Sequence, residues 1–169
     1  GSLVGMRAAR NNADAFISLE GAGRTIDEIL VEQIGLQAPF LKEETQRVLN
    51  ELKNGKMVEE FNPMLNSLFN KSVQPFLISW IKYNPQAEIK KLTVPVLIIN
   101  GSKDIQVNIS DAKLLNQANE NSQLEIIEGM NHIIKEIKGE LNENIHSYTN
   151  PELPVMKALS EIIPTFIQI

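Results

Sequence analysis

Residues Val94-Pro-Val-Leu-Ile-Ile-Asn100 form an unbroken apolar run rich in β-branched side chains. A strand with one wet face would alternate polar and apolar residues. A short continuous run is instead a strand buried on both faces, and such strands belong to parallel sheets covered by helices. Pro95 fits only near the start, because proline cannot donate to the ladder. One strand of this kind commits the chain to a layered α/β architecture and demands helices and further strands around it.

The flanking sequence supplies them. Leu3, Met6 and Ala9 give Ser2–Asn11 helical spacing, and Ala15–Glu20 (AFISLE) reads as a short strand broken by Gly21-Ala-Gly23. Thr25-x-x-Glu28 is a capping box that opens a helix with Ile26, Ile29, Leu30 and Ile34 on one face. The spacing predicts a second helix over 39–54, with Leu41, Val48, Leu49 and Leu52 inward and Gly55 as its stop. Asn62-Pro63 opens a helical stretch to Asn70, and Pro75 suits the first turn of a helix over Phe76–Tyr83. No strand signal interrupts Thr25–Tyr83. Beyond the buried run, Ser110 is expected to cap a helix over Asp111–Asn119. Gln123–Glu128 reads as a strand ended by Gly129, a polar loop runs to Asn150, and Pro151–Ile169 reads as a terminal helix. The expected organisation is an α/β core over 1–24 and 84–169, interrupted by a helical insertion over 25–83.

Composition narrows the function classes. The 169 residues suit one core, with 43% hydrophobic and 22% charged residues. The absence of cysteine excludes disulfides, thiolate zinc sites and a cysteine nucleophile, but leaves the compartment open, cytoplasmic or exported. A formal net charge of -5 argues against a nucleic-acid partner. No apolar run approaches the roughly 20 residues of a membrane span. Neither a His-Glu-x-x-His motif nor a calcium loop occurs, so no metal is expected.

Chemistry concentrates at two strand ends. Asn100-Gly-Ser-Lys-Asp104 follows the buried strand, and Glu128-Gly-Met-Asn-His132 follows the next. In open α/β sheets, sites form beyond the carboxyl ends of strands. An acid and a histidine placed there can meet, the carboxylate accepting the imidazole N–H and fixing its tautomer. Each has a plainer reading. Gly-Ser-Lys-Asp is good turn chemistry, and a lone histidine is usually structural. Their joint placement favours the pair. His146 has no comparable setting and reads as a surface loop residue. Gly21-Ala-Gly23 lacks the rest of a dinucleotide fingerprint and reads as a tight turn.

These segments resemble the acid and histidine motifs of the α/β-hydrolase superfamily, in particular bacterial serine hydrolases of the esterase, lipase and peptidase-like group. The opening Gly1-Ser-Leu-Val-Gly-Met resembles the end of that family's Gly-x-Ser-x-Gly nucleophile elbow and the helix after it, with Gly1 as the last glycine. The resemblance covers essentially the whole chain. It implies about three parallel strands side by side, flanking helices and a helical cap, which is the C-terminal part of the fold. It implies a serine hydrolase of carboxylic esters or related acyl substrates, with Asp104 and His132 as triad acid and base and no cofactor. The nucleophilic serine and the oxyanion hole are not among these residues, so the chain alone is expected to be inactive. Ser2 would fall on the helix after the elbow and is a poor substitute. The alternative is a non-catalytic ligand- or protein-binding module derived from a hydrolase. A substrate pocket is expected to draw on Arg24, Phe69, Phe76, Trp80 and Met130, although the apolar residues of the insertion can equally be packing. Without earlier strands, the Ala15–Glu20 strand would present an unpaired edge. The expected partners are therefore a small acyl substrate and either a second copy of the chain or the missing N-terminal half.

Overall fold

A computed structural model describes residues 1–168. In chain order it contains α1 (Ser2–Ala9), β1 (Phe16–Leu19), α2 (Ile26–Gln37), α3 (Lys42–Lys53), α4 (Asn66–Phe69), α5 (Gln74–Ile81), α6 (Pro85–Ile89), β2 (Val96–Gly101), α7 (Ile109–Ala118), β3 (Ser122–Ile127), α8 (Leu141–Ser147) and α9 (Leu159–Ile167). Short 3-10 turns at Pro39–Leu41 and Pro63–Leu65 precede α3 and α4. The chain divides into two compact units, Gly1–Gly23 with Pro85–Ile169, and Arg24–Asn84.

The first unit is built on a three-stranded parallel sheet ordered β1-β2-β3. All six residues of β2 are buried, as its apolar run requires. Its side chains alternate between two cores. Val96 and Ile98 join Met6 of α1, Ile89 of α6 and Ala112 and Leu115 of α7. Leu97 and Ile99 join Ile127, Met130, Met156 and, from α9, Leu159 and Phe166. The sheet is therefore covered on both faces, and a fully buried leucine or isoleucine of this kind stabilises by roughly 1.5–3 kcal/mol.

The second unit is helical throughout its described elements. α2 starts as the sequence indicates: the Thr25 backbone N–H and hydroxyl both donate to Glu28, at 2.9 and 2.8 Å. Its core gathers Leu41, Val48, Leu49, Leu52, Leu65, Phe69, Leu77 and Ile81. Gln74 is fully buried there, and its side chain bonds the backbone of Val58 and Phe69.

Four local expectations change. The N-cap of α7 is Asn108, whose side chain accepts from the Ser110 N–H at 2.9 Å, so the helix starts at Ile109. α6 comes after Tyr83, where no element was expected. The loop to Asn150 contains α8, whose buried residues are Asn144 and Ser147 while Leu141 and Ile145 are exposed. Its inward face is polar, so hydrophobic periodicity could not reveal it. The terminal helix begins only at Leu159. Before it the chain makes turns and one isolated bridge, with Val155 bridged to Lys135 and the Met156 N–H bonded to the Ile134 carbonyl. Ile169, where the expected helix ended, lies outside the described residues.

Candidate active site

The two motifs beyond β2 and β3 meet because the strands are neighbours in parallel register, from Val96 opposite Ser122 to Gly101 opposite Ile127. Beyond the last rung the loops stay bonded. The Ser102 N–H donates to the Ile127 carbonyl (3.0 Å), the Lys103 N–H to the Met130 carbonyl (2.9 Å), and the Gly129 N–H to Ser102 Oγ (2.9 Å). Gly101 permits this approach: a Cβ there would lie 1.9 Å from the Met130 carbonyl oxygen. Gly129 makes the turn into the second loop at φ 77°.

The outcome is a direct bond. His132 Nδ1 lies 2.8 Å from Asp104 Oδ2. An ionised carboxylate only accepts, so Nδ1 carries the proton and Nε2 remains the nitrogen available to a reacting group. The other Asp104 oxygen accepts from the N–H groups of Gln106 (2.7 Å) and Val107 (2.9 Å), which closes the turn. Both readings of Asp104 in the sequence, turn residue and histidine partner, are thus satisfied by one side chain. Its carboxylate is wholly inaccessible, whereas the His132 side chain keeps 28% of its exposure. Burial opposes the Asp104 charge, but the bond from His132, the Glu20 carboxyl and the two amides outweigh it and hold its pKa below the usual range.

α8 ties the two loops together. Asn131, fully buried beside His132, donates to Asn144 Oδ1 (2.9 Å) and Ser147 Oγ (2.8 Å) and accepts from the Lys135 N–H (3.0 Å). Asn144 donates in turn to the Lys103 carbonyl at 2.6 Å. A cavity of about 210 Å³ opens next to Asp104, lined by Ser102, Ile105, Leu141 and Asn144 among others.

Sequence reasoning missed Glu20. It directly succeeds the last residue of β1, and its N–H continues the ladder to the Ile99 carbonyl at 2.9 Å. The residue is 7% exposed and takes a positive φ of 50°. One of its carboxyl oxygens, one of Asp104 and a ring nitrogen of His132 all lie within 4.8 Å of one another. With both carboxyls ionised, neither Glu20 oxygen has a hydrogen-bond partner, and a bond between the two neighbours requires a proton on one of them. Two full negative charges at that spacing would repel by about 3 kcal/mol at an effective dielectric constant of ~20. Burial first, and the adjoining Asp104 second, push Glu20 up to about 9. An acid at the end of a short, partly buried strand, on the rim where the Asp104 and His132 motifs end, was the available signal. Burial likewise raises Tyr148, at the end of α8, whose hydroxyl accepts from Gln106 at 3.2 Å.

The remaining expected residues separate. Phe69 and Met130 are fully buried in their respective cores and present no surface to a ligand. Phe76 and Trp80 pack against each other on α5, their rings tilted by 52° with centroids 5.3 Å apart, and stay 61% and 36% exposed. Arg24 is ion-paired with Glu32. Ser2 bonds Ser18 Oγ at 2.7 Å rather than His132. His146 is exposed, in the last turn of α8 rather than in a loop. The Gly21-Ala-Gly23 turn is structural: the Gly23 N–H donates to the Asp111 carboxylate and its carbonyl accepts from Gln86.

No family model and no curated protein sequence matches the chain. Solved structures do. Est1E from Butyrivibrio proteoclasticus aligns with 100% of this chain and 59% of its own, at a TM-score of 0.52 and 17% identity. A structure of ferulic acid bound to Est1E aligns over 100% and 57%, at 0.50 and 16%. The chain carries part of the α/β-hydrolase fold. An enol-lactonase from Burkholderia xenovorans LB400 also matches, over 99% of this chain and 62% of its own, at 0.46 and 12%. The chain therefore spans less than two thirds of the length of these hydrolase-fold proteins. Among its described residues, no helix is long and apolar enough to cross a membrane.

Proposed function

We propose that Asp104 and His132 are the acid and base of a Ser-Asp-His acyl-transfer site, in a serine hydrolase acting on a carboxylic ester or related acyl compound. The observation that carries this reading is the 2.8 Å bond from His132 Nδ1 to a carboxylate with no solvent access, at the carboxyl ends of adjacent parallel strands. The carboxylate fixes the tautomer. It also stabilises the imidazolium that forms when Nε2 takes the proton of an attacking serine. His132 then returns that proton to the leaving group. The chemistry uses protein groups alone and calls for no cofactor.

In this reading the nucleophile and the oxyanion donors come from residues outside these 169, and Arg24–Asn84 is a cap inserted in the chain between β1 and β2. The test is p-nitrophenyl ester hydrolysis by a longer reading frame that includes the serine elbow, compared with the 169-residue chain. The longer chain should turn over ester, and Asp104→Asn should lower kcat by a factor on the order of 10⁴. The 169-residue chain alone should stay at background. Undiminished turnover by His132→Ala in the longer chain would rule the reading out.

A further inference from the structure

Glu20 is the one carboxyl among the described residues that adjoins the Asp104–His132 pair and that the acyl-transfer reading does not use. It is 7% exposed, both of its oxygens lack a partner, and its carboxyl lies within 4.8 Å of the pair. It is also fixed from its backbone: its N–H belongs to the sheet ladder, and its positive φ turns the chain directly after β1. A side chain so enclosed cannot swing out to water, and an anion there would face the Asp104 charge unscreened. Either a proton or a cation must occupy the space. The Asp104 oxygen nearest the ring already holds the His132 proton, and a cation shared by all three groups would have to displace it. The proton is the smaller change.

We propose that Glu20 is a positioning residue: held neutral, it sets a carboxyl O–H against the Asp104 carboxylate and so governs how strongly Asp104 holds the His132 ring. This inference rests on the Asp104–His132 pairing and deepens it. The groups that bear on Glu20 are Asp104 from the loop after β2, His132 from the loop after β3, and Tyr148 from the end of α8. Burial and the Asp104 charge both favour the protonated form through neutral pH. When Glu20 ionises, two negative charges face the Nδ1–H, and the environment of that proton changes.

The experiment is NMR on the 169-residue chain with carboxyl-labelled glutamate. Glu20→Gln identifies the Glu20 signal by its loss, and Asp104→Asn identifies the low-field Nδ1–H signal of His132. The Glu20 carboxyl is expected to titrate near 9. The His132 signal should move over that same interval in the wild type and stay in place in Glu20→Gln, which keeps a neutral donor. Glu20→Met, which fills the space without a donor, should displace the His132 signal at every pH. A Glu20 carboxyl that titrates in the ordinary range, or a His132 signal indifferent to it, overturns the proposal. So does Zn²⁺ or Mg²⁺ binding that Glu20→Gln abolishes, since a cation would then occupy the place argued for the proton. If instead no His132 signal responds to Asp104→Asn, the pairing fails and the functional reading falls with this inference. If that signal is present but blind to Glu20, only this inference falls.

Discussion

Replacing Glu20 by glutamine should make the chain more stable at neutral pH, by an amount that grows with pH. The folded-state value of about 9, against an ordinary 4.5, means that the folded chain keeps a proton that the unfolded chain releases. Below about pH 4.5 both states are protonated and the full stability is present. Between there and about pH 9 only the unfolded state ionises, so each pH unit removes about 1.4 kcal/mol. Above the folded value the loss stops growing. At pH 7 it has reached about 3 kcal/mol, a large part of an ordinary domain's stability. Glutamine fills the same volume and does not titrate, so this slope should vanish in the variant. Urea denaturation of both proteins between about pH 5 and about pH 9 measures the difference. Trp80, the only tryptophan, lies in the helical unit, so its fluorescence is the wrong probe. Hydrogen exchange at the Ile98 and Ile99 amides reports on the sheet that holds Glu20. A stability difference between wild type and variant that stays constant across this range would refute the argument.

The same geometry yields three more expected outcomes. Gly101→Ala should cost about 1–3 kcal/mol or more in denaturation and weaken the His132–Asp104 contact, because the added carbon meets the Met130 carbonyl at 1.9 Å. Asn131→Ala leaves Asn144, Ser147 and the Lys135 N–H short of a partner. It should cost about 2–4 kcal/mol and raise hydrogen exchange in α8. β1 pairs only with β2 among the described residues, so its other edge is open to a further strand. Light scattering of the 169-residue chain should accordingly show association, and a monodisperse monomer would count against it.

The sequence by itself determined the layers and the motifs. An unbroken Val-Leu-Ile-Ile run can satisfy its surface only when covered on both faces, and a Thr25–Glu28 box can open only a helix, because these preferences are local. The same logic made Asp104 and His132 candidates, since each lies just past a strand. It failed for α8, whose inward residues are Asn144 and Ser147, because a polar contact surface leaves no apolar periodicity to read. Phe69 and Met130 mark another limit: an apolar residue reads alike whether it lines a pocket or fills a core, and only the fold shows that both are fully buried. Glu20 is the sharpest case. Along the chain it is an ordinary acid at a strand end. Only the parallel order β1-β2-β3 brings it beside a carboxylate and an imidazole far away in sequence, and the charge state of a buried group is decided by what the fold places against it.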